Sequence, residues 1–289
     1  MSAEFKVMLA KTYDPDRVDS WKEMYVEPKL DGVRVVVLVR KGEAPRYYSR
    51  NGRELGMFTH LNPSVRELAA RLVRKNEDLA KGLMLDTEAV GVTFGDVSGA
   101  IHTKGTVALT CRLHVFHCMP LAAFRKGIDT VAQRVRSYAL ANALDGMALK
   151  GITVSVPQRV LDHRQVMVAH RKFRYEQYEG TMVKNLHIAW TALRSFAWMK
   201  IKEEQTTEVM VVDLKEGTGK YVGMTGALIC EHKKRKVRVS GMTDAQRKEF
   251  WDHPKRIINK MVEVTFQEET EAGSLRHPRF KRVRDDKQE

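Results

Sequence analysis

The run Glu27-Pro28-Lys29-Leu30-Asp31-Gly32-Val33-Arg34 leads straight into the apolar segment Val35-Val36-Val37-Leu38-Val39. Five aliphatic residues in succession, four of them β-branched, demand a buried strand. A turn that feeds such a strand holds its side chains rigidly at the strand's mouth, where catalytic groups are commonly mounted. A lysine amine held there can act as a covalent nucleophile once neighbouring cations or burial keep part of it deprotonated. Alone, the same motif is equally an exposed lysine beside an Asp-Gly turn. Other segments have to decide.

At 289 residues the chain is long enough for two domains, and 43% apolar content is that of an ordinary globular protein. The formal charge of +14 is not ordinary. With a pI near 9.7 it points to a polyanionic partner, nucleic acid before membrane. The longest aliphatic runs have strand length, far short of a membrane span. The start, Met1-Ser2-Ala3-Glu4-Phe5-Lys6, carries charge where a signal peptide needs an apolar stretch. Cys111, Cys118 and Cys230 are scattered without CxxC spacing, so zinc is not expected and a reducing cytoplasm is.

Up to about residue 205, strands alternate with helices. A helix begins after Asn62 with Pro63 in its first turn and carries Val65, Leu68, Ala69, Leu72 and Val73 as one stripe; Gly82 closes that region. Further helices are expected from Asp129 to Leu144 and from Asp162 to about Tyr178. Strands are expected at 33–39, 83–90, 111–117, 181–184 and 196–202. The polar stretch Glu203-Glu204-Gln205-Thr206-Thr207-Glu208 reads as a hinge. Beyond it come short strands at 209–214, 227–231, 236–240 and 262–267, with one helix, Asp244 to Trp251, capped by Thr243. That texture fits a small oligonucleotide-binding barrel. The domains expected are 1–205 and 206–289.

Four segments would surround a nucleotide beside Lys29. In Leu83-Met84-Leu85-Asp86-Thr87-Glu88, alternation puts Asp86 and Glu88 on one face, suited to a ribose hydroxyl or a hard divalent cation, or simply to solvent. Glu179-Gly180-Thr181-Met182-Val183-Lys184 brings a carboxylate to the start of a strand, with Gly180 also fit to end the preceding helix. In Phe196-Ala197-Trp198-Met199-Lys200-Ile201-Lys202, Trp198, Lys200 and Lys202 share one side, and the two lysines make a cationic patch for phosphate. In Leu113-His114-Val115-Phe116-His117, Phe116 offers a ring to a purine, although such a residue is more often core. His114 and His117 read as satisfied strand histidines.

With Lys-x-Asp-Gly-x-Arg at Lys29, Glu-Gly-x-Met-Val-Lys at Glu179 and Trp-x-Lys-x-Lys at Trp198 in this order, the chain resembles the ATP-dependent DNA ligases of the covalent nucleotidyltransferase superfamily. Ser49-Arg50-Asn51-Gly52 looks like the family's additional arginine motif, and Pro278 to Lys287 like its last one. Phe94 to Gly99 and Glu269 to Pro278 look most like the small, two-domain phage-type enzymes. The resemblance implies an α+β fold: an ATP-grasp-like nucleotidyltransferase domain with antiparallel sheets and flanking helices, then an OB-fold barrel. It implies that Lys29 takes AMP from ATP, passes it to the 5′-phosphate of a nick, and the 3′-hydroxyl then displaces it. Glu27 and Arg34 would hold adenine and ribose, Phe116 would stack on the base, and Glu88 would contact ribose or metal. Glu179 would bind the metal, Mg2+ or Mn2+, and Lys200 and Lys202 the α-phosphate. Arg50 would contact the nucleotide and later the 5′-phosphate; Arg279, Arg284 and Lys287 would orient pyrophosphate. The implied enzyme is a monomer of the cytoplasm, the host's if phage-encoded, wrapping nicked duplex DNA with both domains. Two positions depart from the family: Asp86-Thr87-Glu88 replaces Asp-Gly-Glu, and His117 stands where many relatives have aspartate. A capping guanylyltransferase, an RNA ligase and a non-catalytic basic barrel protein remain the competing readings.

Overall fold

The structure is a computed structural model that describes residues 5–91, 110–144, 146, 148–202, 205–270 and 273–284. The segment Phe94 to Gly99, with its phage-type resemblance, and Lys287, assigned to pyrophosphate, lie outside the described residues. Two compact units divide at Ile201/Lys202.

The first unit contains strands β1 (Leu9–Thr12), β2 (Met24–Lys29), β3 (Val33–Val39), β4 (Arg46–Ser49), β5 (Leu83–Val90), β6 (Arg112–Pro120), β7 (Ile128–Ala132), β8 (Ile152–Val154), β9 (Gln158–Val160), β10 (Gly180–Lys184), β11 (Ala189–Thr191) and β12 (Arg194–Lys202). They form two five-stranded sheets, β1-β12-β10-β2-β9 and β4-β3-β5-β6-β8, and the small pair β11-β7. β1 pairs with β12 and β6 with β8 in parallel, whereas β2 with β9 and β10, β3 with β4 and β5, β5 with β6, and β7 with β11 are antiparallel.

Alternation along β3 explains the layering. Val35, Val37 and Val39 face a core built with Leu68 and Leu72 of the helix Asn62–Lys75 (α2) and Leu140 of Gln133–Ala141 (α4). Val36 faces the other way and meets Met84, Met119, Ala197 and Trp198 between the two sheets. The helix His163–Tyr175 (α5) covers the outer face of the first sheet through Val166, Ala169 and Phe173. The sheets are thus buried on both faces, which is why β3 is a continuous apolar run rather than an alternating one. The remaining helices of this unit are Pro15–Val18 (α1) and Leu121–Lys126 (α3).

Three expectations need correction. The helix from Asp162 stops at Tyr175 with Glu176 as its cap, so Gly180 opens β10 and does not end that helix. The stretch Asp129 to Leu144 is not one helix: Ile128–Ala132 is a strand paired with β11, and α4 starts only at Gln133. Asp129 anchors that switch by accepting from Arg136, a buried arginine also held by Asp78. The polar stretch 203–208 is not all hinge either. Gln205 opens strand β13 (Gln205–Glu216) and pairs in register with Phe266.

The second unit is a five-stranded barrel of β13, β14 (Thr225–His232), β15 (Arg235–Val239), β16 (Met261–Phe266) and β17 (Arg279–Val283), in the order β15-β14-β13-β16-β17. A bridge between Ser240 and Arg279 joins the two outer strands, with Phe280 donating to the Ser240 carbonyl at 2.7 Å. Helix α6 (Asp244–Asp252) is capped by Thr243 in a reciprocal box with Gln246 and packs Phe250 into the barrel core. Cys111, Cys118 and Cys230 are buried free thiols. Among the described residues no helix is long and apolar enough to cross a membrane.

Candidate active site

Lys29 is the last residue of β2 in one sheet and Val33 the first of β3 in the other. The turn Leu30–Gly32 therefore crosses between sheets and sets Lys29 at the mouth of the cleft they enclose. The glycine is required by space rather than by φ. A Cβ on Gly32 would lie 2.3 Å from the Ala89 carbonyl oxygen and 2.9 Å from Glu88 Cγ. The turn thus rests directly on the end of β5, and Glu88 sits beside it.

Glu179 donates its backbone N–H to the Lys29 carbonyl at 3.0 Å. Its carboxylate is ion-paired with the Lys29 amine, both side chains being largely buried. Lys29 Nζ also reaches the Leu30 carbonyl at 3.4 Å. Burial pushes the Glu88 carboxyl up to about 7, reinforced by Asp86 and Glu179 and opposed by Lys29 and Arg34. Two carboxylates therefore share the mouth of the cleft with one amine. Such a set of hard oxygens fits a divalent cation that takes one or two carboxylates and completes its shell with phosphate and water. Among the described residues there is no cluster of three or more ligating side chains that would cage a metal by itself.

The Glu88 environment predicts a pH effect with a definite sign. The folded chain keeps a proton that the unfolded chain loses near 4.5, so stability should fall as pH rises from about 4.5 to about 7 and then level off. Glu88→Gln should remove that fall, about 3 kcal/mol in total over the range, as measured by urea unfolding at a series of pH values. An unchanged slope would mean the carboxyl is solvated.

Arg34 lies deeper. It is bonded to both oxygens of Asp86, which is fully buried, and donates from Nη1 to the Met8 carbonyl at 2.7 Å. Solvent is thus excluded as the explanation of the Asp86 face. The Thr87 hydroxyl donates to the Val35 carbonyl at 2.7 Å, so threonine is accommodated on the side of the strand that pairs in unbroken register with β3. Between Asp86 and Thr87 the register with β6 shifts, and Phe116 is the extra residue. This bulge turns both Phe116 and His117 to the inter-sheet side, a re-aiming that strict alternation does not anticipate. Phe116 meets Trp198 edge-on at 5.8 Å. His117 stacks on Trp190 at 6.4 Å; burial, then Lys184, Arg136 and Arg34, hold its pKa well below the usual value, so it is neutral.

Sequence reasoning missed Lys184 and Ser155. Lys184 is 2% exposed, pairs with the Glu27 carboxylate, and places Nζ 4.5 Å from the Trp198 ring centroid and 5.2 Å from that of Phe116. Ser155 donates its hydroxyl to the other Glu27 oxygen. His114 does have a partner, Thr153 Oγ1 at 2.9 Å. The back of the cleft therefore carries a carboxylate acceptor, an ammonium donor and an aromatic face within one cluster, a set able to read a base edge and stack on its plane. The sequence signal for Lys184 was its place at the end of a strand motif already singled out, but a lysine reads as surface until its burial is known.

The other candidates are placed as follows. Ser49 pairs with Val35, so Arg50 follows β4 at the same sheet end as Arg34 and Glu88, and it is exposed. Lys200 lines a concavity of about 530 Å³ with Lys11, Tyr13, Arg194 and Phe196, and Lys202 ends β12. In the barrel, Arg279 is exposed at the start of β17 and Arg284 is paired with Glu208.

Comparison with known proteins bears on the family and the fold. The family model described as "ATP dependent DNA ligase domain" matches residues 7–202, and "DNA ligase OB-like domain" matches 216–284. The chain is 26% identical to "DNA ligase 2" of Methanosarcina acetivorans over 98% of its own length and 56% of that protein. It thus spans little more than half the length of that curated relative. A solved structure titled "Pmar-Lig_PreS3" superposes with a TM-score of 0.83 at 27% identity, over 97% of this chain and 68% of that one. The ATP-dependent DNA ligase of bacteriophage T7, solved with ATP, shares the fold with a TM-score of 0.60 at 20% identity, over 98% and 100% of the two chains. With the ligase domain model covering most of its length and the barrel model most of the rest, this chain belongs to the ATP-dependent DNA ligase family.

Proposed function

We propose that the chain seals nicks in duplex DNA, using ATP to form a lysyl-AMP at Lys29. The observation that carries this reading is the Lys29 amine at the cleft mouth, paired with Glu179 and backed by Glu27, Lys184 and Phe116. Lys29 acts as the neutral amine, its ammonium proton passing to solvent, and Lys200 and Lys202 are the cations that the resemblance assigns to the α-phosphate. The amine electron pair then forms the N–P bond to the α-phosphorus while the bond to the bridging oxygen breaks and pyrophosphate leaves. Glu27 and Lys184 face the base edge, Phe116 its plane, and Arg34, braced by Asp86, holds that wall in place. Glu179 and Glu88 are the residues that would hold Mg2+ or Mn2+, whose chemistry is to neutralise charge on the phosphates. The AMP passes next to the 5′-phosphate of the nick, and attack by the 3′-hydroxyl releases it. Arg50 is assigned to the nucleotide and the 5′-phosphate; Arg279, Arg284 and Lys287 are assigned to pyrophosphate, on the resemblance.

Incubation with α-labelled ATP or GTP and Mg2+, followed by denaturing electrophoresis, tests the reading. Label from ATP supports it; label from GTP alone favours a capping enzyme, and no label refutes it. Nicked DNA against nicked RNA then separates the two kinds of ligase. Phe116→Ala should raise the ATP KM roughly 5- to 150-fold, since a ring stacked on a base is worth about 1–3 kcal/mol. Phe116→Tyr should be mild. Equal KM values for wild type and Phe116→Ala would make the ring core packing only.

A further inference from the structure

The barrel hairpin between β14 and β15 breaks a local rule. His232 pairs with Arg235, leaving Lys233 and Lys234 as a two-residue turn, and both have left-handed backbones, with φ of +48° and +65°. Such turns select Asn-Gly, Asp-Gly or Gly-Gly because side chains are disfavoured there. Two lysines in succession strain the turn, and strain of this kind persists only where the surroundings enforce it. The enforcing contact is Glu269, whose two carboxylate oxygens each accept from Lys233 Nζ at 2.7 Å. His232 Nε2 lies 3.7 Å from the same carboxylate.

The turn carries an unusually dense charge. Lys233, Lys234, Arg235, Lys236 and Arg238 are all exposed, whereas Val237 and Val239 point into the core. Across the ladder Lys236 faces Glu231, while Arg238 faces Ile229. Replacing Lys234 with glycine would ease the backbone and reduce repulsion, and the same exchange at Lys233 would forgo only an exposed ion pair, so the chain gives up stability to keep cations there. We propose that the Lys233–Lys234 turn is a DNA-backbone contact, and that Glu269 is the positioning residue that fixes Lys233 in place. This rests on the reading of the chain as a DNA-binding ligase and adds a residue whose negative charge aids binding to a polyanion.

The test uses the full chain, a fluorescent nicked duplex titrated at several salt concentrations, and hydrogen exchange of the β14 and β15 amides. Lys233→Asn/Lys234→Gly should slow exchange in the hairpin about three- to fivefold and weaken nick binding. It should also flatten the salt dependence by about one unit of slope, the share of a single phosphate contact. Glu269→Gln is the discriminating variant. It makes the protein more positive, so bulk electrostatics would tighten binding; positioning weakens it roughly 3- to 10-fold. Tighter or unchanged binding by Glu269→Gln, an unchanged salt slope in the turn variant, or faster exchange in that variant would each overturn the inference. Self-adenylation should proceed at the wild-type rate in all variants, and a rate lost with the turn also overturns it. If wild type itself forms no adduct, the proposed activity fails, while nick binding still judges the turn.

Discussion

Lys29→Ala and Lys29→Arg should both abolish transfer of label from ATP to the protein, by at least about four orders of magnitude. Alanine removes the nucleophile. Arginine keeps the charge and much of the reach, but its guanidinium stays protonated and has no electron pair to donate. The pairing of Lys29 with Glu179 makes the arginine variant the more informative one, because it keeps a cation beside the carboxylate and should fold normally. The wild-type adduct should be labile in acid and stable in alkali, as a phosphoramidate is. Substantial protein–AMP in either variant would move the nucleophile to another residue.

Gly32→Ala should slow self-adenylation by about 10²-fold or more while lowering stability only moderately. The added Cβ would meet a backbone carbonyl oxygen at 2.3 Å, and a β-strand backbone cannot swing aside as a side chain can. The turn itself must move, and Lys29 with it; a displacement of about 1 Å at a reacting group costs that order of rate. Gly42→Ala is the matched control. Gly42 has φ of +78°, and nothing lies within 4 Å of where a Cβ would stand, so substitution there strains the backbone without touching the cleft. Its single-turnover rate should be that of the wild type. A near-normal rate for Gly32→Ala would show that the turn yields without carrying Lys29.

Much of the fold was legible because it rests on short-range patterns. Strands 33–39 and 83–90 coincide with β3 and β5, the Thr243 cap sits where its helix begins, and the helix expected from Asp162 starts one residue later with Asp162 as its cap. The misread segments are those in which distant partners override local preference. Ile128–Ala132 carries no strand period, and becomes a strand because β11 is there to pair with it. Arg136 is buried between Asp129 and Asp78, which its own sequence neighbourhood does not announce. Strands of three residues, such as β8, β9 and β11, are too short for any periodicity to announce them.

The same division runs through the candidate site. The residue types and their order along the chain were enough to single out Lys29, Glu88, Phe116 and Glu179 as candidates, and the resemblance to a family added Glu27. Their mutual geometry was not in the sequence. Lys29 and Glu179 are 150 positions apart and meet only because β2 and β10 are neighbours. The bulge that aims Phe116, the carbonyl that forbids a side chain at Gly32 and the burial that makes Lys184 a partner of Glu27 all depend on two sheets packing face to face. Periodicity tells which face a side chain takes on its own strand; only tertiary packing determines what lies opposite that face, and so which charges are desolvated and which are left to water.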